Sequence, residues 1–376
     1  MPAESVVSTT DVVGSLLRPS WLLTARDHFV ADRISQHEFK LAENRAVDEA
    51  IALQEEAGLP VVTDGEIRRL SFQSQLPDAI EGFGEFSLGA FLWGDWHGDD
   101  VVGDQSVSRP GSIGVVDRLQ RKRSLCLEEF TYLRDRTDLV PKISLPSPSL
   151  WANFCSAEKS AHVYPTLDSF LADVADILRE EVAELVRLGA TYVQLDAPHY
   201  PLLIDPTTRA FYESRGWTLD RWLSTGIELD NAVIGDFASQ VTFGIHLCRG
   251  NQQSRWLVEG GYDDVAPRIF GDIRAQRLLL EFDDERSGSF EPLRHVPDDK
   301  AVVLGLVTTK RGELEESDSL VERIHDAARF FPLQQLALSP QCGFASSVVG
   351  NRLTLSQQLA KLRLVVDAAT KVWGRA

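Results

Sequence analysis

The sequence predicts an α/β protein folded as a (β/α)₈ TIM barrel, and three observations carry that expectation. Eight short apolar runs bounded by turn residues recur along the chain. An amphipathic helical pattern follows most of them, and no antiparallel hairpin signal interrupts the series. The runs are Asp11–Ser15, Pro60–Asp64, Val140–Leu145, Thr191–Asp196, Val241–Leu247, Arg277–Phe282, Ala301–Val307 and Gln335–Ser339. All are continuously apolar rather than alternating, as strands covered on both faces are. Helical stretches such as Gln36 to Gly58 and Thr166 to Gly189 close on a glycine, the residue that tolerates the left-handed turn ending a helix. The chain is read as one barrel domain over residues 1–376, with a long insert over about 70–138 after the second strand.

Composition narrows the function. The 376 residues are 43% hydrophobic, ample for a sizeable core, and carry a formal charge of −18, which opposes a nucleic-acid partner. No apolar run approaches the roughly 18 residues of a membrane span, and the start Met1-Pro-Ala-Glu-Ser lacks a signal pattern, so a cytoplasmic protein is expected. Four scattered cysteines fit reduced thiols or a metal site better than a disulfide framework. The partners expected are small molecules, and the sequence leaves the oligomeric state open.

In a barrel of this kind the chemistry sits at the C-terminal strand ends. The fifth run ends in His246-Leu-Cys248, two soft ligands on one face of a strand, the sixth in Glu281, and the eighth in Ser339-Pro-Gln-Cys342-Gly343. Singly, a buried Cys is commonly a small apolar residue and Glu281 a salt-bridge partner; jointly, four such residues at strand ends point to one site. A His, two Cys and a Glu suit zinc, in an electron-rich site that favours a bound thiolate over an activated water. The reaction implied is alkylation of a thiol, with Glu281, the hardest ligand, exchanged for the substrate sulfur. Other strand ends carry Val13-Gly14-Ser15, Thr63-Asp64-Gly65-Glu66 and Leu195-Asp196-Ala197-Pro198, residues that serve equally as turns and caps.

The insert contributes an aromatic stretch between Phe83 and Gly98, holding Phe86, Phe91, Trp93, Trp96 and His97 and suited to a lid or to a satellite core. It also holds the basic run Asp117 to Arg123, read as a solvated helix face or as a contact for an anionic substrate tail.

Through Val13-Gly-Ser15, Gln54 to Glu66, Leu195-Asp196-Ala-Pro198, His246-Leu-Cys248, Glu281 and Ser339 to Gly343, nearly the whole chain resembles the catalytic zinc barrel of the cobalamin-independent methionine synthase family. The resemblance implies zinc on His246, Cys248, Glu281 and Cys342. It also implies that Ser15 holds the homocysteine carboxylate while Glu66 and Asp196 hold its ammonium. Three departures stand out. There is no room for the family's second barrel, Asp196-Ala197-Pro198 replaces Asp-Glu-Pro, and Val307-Thr308-Thr309-Lys310 stands where the family places a histidine thought to protonate the departing folate. Lys310 is the candidate acid in its place, and a methyl donor more reactive than a folate, such as a methylcorrinoid, is expected to outpace it. The leading expectation is a zinc-dependent methyltransferase to homocysteine. The alternative is a zinc-thiol alkyltransferase on another thiol, resembling the epoxyalkane to coenzyme M transferases. A thiol or metal sensor, or a barrel with structural zinc, is the third.

Overall fold

The structure, a computed structural model, describes residues 7–85, 95–106, 113–214 and 216–375. In chain order its strands are β1 (Val61–Val62), β2 (Ile80–Glu85), β3 (Asp95–Trp96), β4 (Gln105–Ser106), β5 (Ile113–Arg121), β6 (Val140–Pro146), β7 (Tyr192–Asp196), β8 (Thr242–Leu247), β9 (Arg277–Glu281), β10 (Ala301–Val307) and β11 (Leu336–Pro340). The order β1-β6-β7-β8-β9-β10-β11 makes one curved sheet, parallel at every pairing. Seven of the eight apolar runs are therefore strands of an α/β barrel.

The first run is not. Only Thr10 bridges Leu338, so residues 9 to 15 take the eighth stave's position without forming a ladder. The cause lies in where the backbone carbonyls go. Val12 accepts from Lys142 Nζ, Val13 from Gln194 Nε2 at 2.8 Å and Gly14 from Thr63 Oγ1 at 2.8 Å, all side chains rather than neighbouring strand amides. Asp11 completes the anchor inside the barrel. Its carboxylate meets Lys142 Nζ at 2.8 Å, the Tyr192 hydroxyl at 2.6 Å and Arg277 Nε at 3.3 Å, every partner buried. Burial penalises this carboxylate, and Lys142 and Arg277 outweigh the penalty and hold it below its ordinary range.

Strand alternation sends Tyr192, Gln194 and Asp196 of β7 and Arg277, Leu279 and Glu281 of β9 to the barrel interior, and their apolar neighbours Val193, Leu195, Leu278 and Leu280 to the helices. The helix Gln36–Ala57 starts in a capping box of Ser35 and Glu38 and ends on left-handed Gly58; the helix Leu167–Arg187 starts on a Thr166 cap. A large apolar core and a second, smaller one around the helix Gln36–Ala57 fill the layer between strands and helices. Among the described residues no helix is long and apolar enough to cross a membrane.

The insert differs from the expectation in two ways. It holds antiparallel ladders, β2 on β5 and β3 on β4, which no tight-turn signal announced because long connections join them. Its basic run lies largely on β5 rather than on a helix. Arg118 pairs with Asp173, Arg121 with Glu181 and Glu184, and Lys122 with Glu81, so these charges face acidic side chains rather than a substrate tail. Phe86, Phe91 and Trp93 lie outside the described residues.

Candidate active site

His246, Cys248 and Cys342 converge at the C-terminal mouth of the barrel, their ligand atoms within 4.8 Å of one another and all three buried. The β8 register explains the first two. Positions 246 and 248 fall on one face, and the pairing of His246 with Asp196 on β7 fixes the imidazole beside that strand end. Its Nδ1 faces the Leu279 carbonyl at 3.2 Å, which leaves Nε2 buried and without a hydrogen-bond partner among the described residues. Cys342 arrives on the turn after β11. Contact with the Cys248 thiol, opposed by burial and helped by His246, holds Cys342 well below the ordinary thiol range. The same contact, with burial, drives Cys248 well above it. An orphaned imidazole nitrogen beside two buried thiols, one of them held well below its ordinary range, is the donor set a soft or borderline metal takes.

Glu281 is not part of this group. Its Oε2 accepts from the Arg249 amide at 2.6 Å, and its Oε1 meets Arg286 Nη1 at 2.8 Å and Lys310 Nζ at 3.4 Å. Burial raises this carboxylate's pKa, but Lys310, Arg286 and Arg249 together hold it far below the usual range. Lys310 is buried against Glu281 and lines a neighbouring cavity rather than the one over the sulfurs. The structure thus brings three of the four expected ligands together and sets Glu281 and Lys310 beside them as an ion pair.

Over the three ligands opens a cavity of about 440 Å³, whose lining includes Ser15, Glu66 and Asp196 as well as His246, Cys248 and Cys342. Two glycines make the approach possible. A Cβ on Gly14 would stand 2.6 Å from Glu66 Oε1, and one on Gly343 would stand 2.0 Å from Ser15 Oγ. Glu66 itself holds a left-handed φ of 51°, uncommon for a non-glycine residue, with its amide on Asp64 Oδ1 at 3.0 Å. One Glu66 oxygen accepts from Ser144 at 2.8 Å, and the other is buried without a partner among the described residues. Asp196 accepts from Gln194 at 2.7 Å. Burial, then the Glu66 charge, pushes it up to about 7. Two carboxylates with spare acceptor capacity suit a cationic group of a ligand.

Sequence reasoning missed the groups that hold these in place. Arg69 is buried between Glu129, Ser144 and Glu66. Arg249, adjacent to Cys248, is spread over the Gly260, Glu281 and Ser287 carbonyls. Asn251 donates to the Gly343 carbonyl at 2.6 Å and so steadies the Cys342 turn. Behind Asp196, the Ser147 and Tyr200 hydroxyls donate to buried Asp230 at 2.7 and 2.6 Å, tying the exits of β6 and β7 to the helix Leu219–Ile234. The nearness of Arg249 to a candidate ligand was the one available signal; the others come from tertiary placement.

The profile of the cobalamin-independent synthase catalytic domain matches residues 159–371. A Bacillus subtilis (strain 168) relative described as uncharacterized protein YxjG is 36% identical, over 96% of this chain and 94% of its own length. The methionine synthase of Pyrococcus abyssi is 26% identical over 90% of this chain and 87% of its own. Among solved structures, a Listeria monocytogenes chain described as a candidate vitamin-B12-independent methionine synthase superposes with a TM-score of 0.73 at 25% identity. That match covers 99% of this chain and 100% of the other.

Proposed function

Because the chain belongs to the cobalamin-independent methionine synthase family, we propose that it transfers a methyl group to the thiol of homocysteine, giving methionine. The observation that carries this reading is a single cavity lined both by a soft-metal donor set, His246, Cys248 and Cys342, and by Ser15, Glu66 and Asp196. Zinc held by those three donors would stabilise the substrate thiolate while keeping its sulfur nucleophilic. Glu66 and Asp196 receive the substrate ammonium, and the Ser15 hydroxyl donates to its carboxylate, so the sulfur is directed to the end of the cavity where the cysteines lie. Glu281, one strand away, would be the fourth residue to hold such an ion. In its present position its carboxylate is held by Lys310 and Arg286. An acceptor with a sulfonate in place of an ammonium, as in the coenzyme M alternative, would meet two carboxylates where it needs cations.

The test is to load the purified protein with zinc and follow its X-ray absorption as homocysteine is added. The expected result is one further sulfur in the metal's coordination, with methionine appearing on addition of a methyl donor. Binding of zinc with no response to homocysteine would point to a structural site and overturn the reading.

A further inference from the structure

Resting on that reading, we infer that the methyl donor is a cationic sulfonium rather than a folate bearing a poly-γ-glutamate tail. The cavity is lined by apolar and aromatic side chains, among them Phe72, Trp96, Leu202 and Leu257, and by two carboxylates. Among the described residues no lysine or arginine lines it. The residues outside the described set add only Arg109 and Arg215 as cationic side chains. The basic run of the insert is spent on acidic partners on the barrel's outside, and the cations of the neighbouring cavity, Lys310, Arg311 and Arg352, share it with four carboxylates. A polyanionic tail therefore finds no complement, whereas a compact cation does.

Trp96 makes the match specific. It packs on Gly250, where an added Cβ would stand 3.0 Å from its ring, two residues beyond Cys248. The Trp256 backbone pairs with His97 at 2.8 and 3.0 Å and holds it there. Its indole Nε1 is buried without a partner among the described residues, free to donate to an acceptor on an incoming ligand. An indole lining the same cavity as the two cysteines is a favourable neighbour for a methyl-bearing onium.

The chemistry agrees. Homocysteine loses its thiol proton to solvent on binding. Its sulfur then forms the new S–CH₃ bond while the donor's C–S⁺ bond breaks, and the electron pair goes to the departing sulfur, which leaves as a neutral thioether. No proton is delivered to the leaving group. That fits a cavity that no described lysine or arginine lines, with Lys310 paired to Glu281 outside it.

The experiment offers the zinc-loaded protein and homocysteine four CD₃-labelled donors in parallel: S-methylmethionine, S-adenosylmethionine, 5-methyltetrahydropteroyltriglutamate and methylcobalamin. Labelled methionine is followed by mass. The expected result is at least tenfold faster product from a sulfonium than from the folate or the corrinoid. Trp96→Leu should raise the KM for the sulfonium at least fivefold and leave homocysteine affinity unchanged. A second readout needs neither turnover nor metal. With methionine saturating the amino-acid position, the metal-free protein should bind trimethylsulfonium at least fivefold more tightly than tert-butanol, its neutral counterpart of similar size. Methionine formed from the folate or the corrinoid alone, or equal binding of the two probes, overturns the donor assignment and leaves the acceptor standing. No methylated homocysteine from any donor overturns the acceptor and the donor together.

Discussion

Ser15 and Gly343, from opposite ends of the chain, stand so close that a Cβ on the glycine would lie 2.0 Å from the serine Oγ and 3.1 Å from its backbone nitrogen. The hydroxyl could turn about χ1, but the serine Cβ and backbone nitrogen, both at 3.1 Å, could not. Gly343→Ala should therefore displace Ser15, at about 1–3 kcal/mol of stability for overpacking, and weaken homocysteine binding. Pairing it with Ser15→Gly should recover stability in thermal melts and leave the affinity low in calorimetry. If the single variant binds homocysteine normally, Ser15 has no part in holding it.

Zinc content tests the donor set. Cys248→Ser and Cys342→Ser should each strip the metal during dialysis, because a hydroxyl does not replace a thiolate on a borderline cation. The check is elemental analysis per subunit. Full retention in both variants would reassign the site.

Asp196 supplies a pH signature. Burial and Glu66 push it up to about 7, so it is protonated below neutrality and ionised above. An ionised carboxylate is what an ammonium pairs with, and homocysteine affinity should rise as pH passes upward through about 7. Asp196→Asn should remove that dependence and cost about 1.5–3 kcal/mol in binding, the usual worth of a charged hydrogen bond. An affinity that is flat in pH for the unaltered protein would show that Asp196 does not meet the amino group.

Lys310 lies 3.4 Å from Glu281 Oε1, off the cavity. As a partner of Glu281 rather than a proton donor, it should tolerate Lys310→Ala with less than tenfold loss in rate, against the roughly 10² to 10⁴ expected on removing a general acid. A loss in that larger range would restore the acid role.

Asp230 bears on stability instead. Burial raises it to about 7, against the hydrogen bonds from Tyr200 and Ser147. A carboxyl whose folded pKa lies above its unfolded one contributes stability that is complete below the unfolded pKa and is lost as pH climbs through the folded one. Between about pH 4 and 7 the protein should thus lose on the order of 3 kcal/mol through this group. Urea titrations at several pH values should show a flatter curve for Asp230→Asn; parallel curves would mean that Asp230 is ionised throughout.

The strands were legible because continuous apolar runs between turn residues admit few readings, and seven of them stand within a residue or two of their expected bounds. The run at Asp11 misled for a physical reason. Local composition suits a strand there, but Lys142, Gln194 and Thr63, distant in sequence, take its carbonyls. At the site, His246 and Cys248 could be paired from their spacing alone. Glu281 could be placed at a strand end but not oriented, because its direction is decided by Arg286 on the turn that follows it and by Lys310 beyond the next strand. The insert's basic run shows a similar limit, since its partners Glu181 and Glu184 sit on a helix some sixty residues on.

The stave without a ladder has a consequence for how the protein is made. Leu17 donates its amide to Gln358, 341 positions later, and Thr10 bridges Leu338. On a ribosome the serine arm of the site emerges first and waits, unpaired, until nearly the whole chain has followed. With the Asp11 carboxylate needing Lys142 and Arg277, and the Val12 and Val13 carbonyls needing Lys142 and Gln194, this segment is expected to dock onto preassembled strands as a late event in maturation. Nascent chains arrested before residue 336 should accordingly leave residues 9 to 15 open to protease, whereas the released chain should guard them.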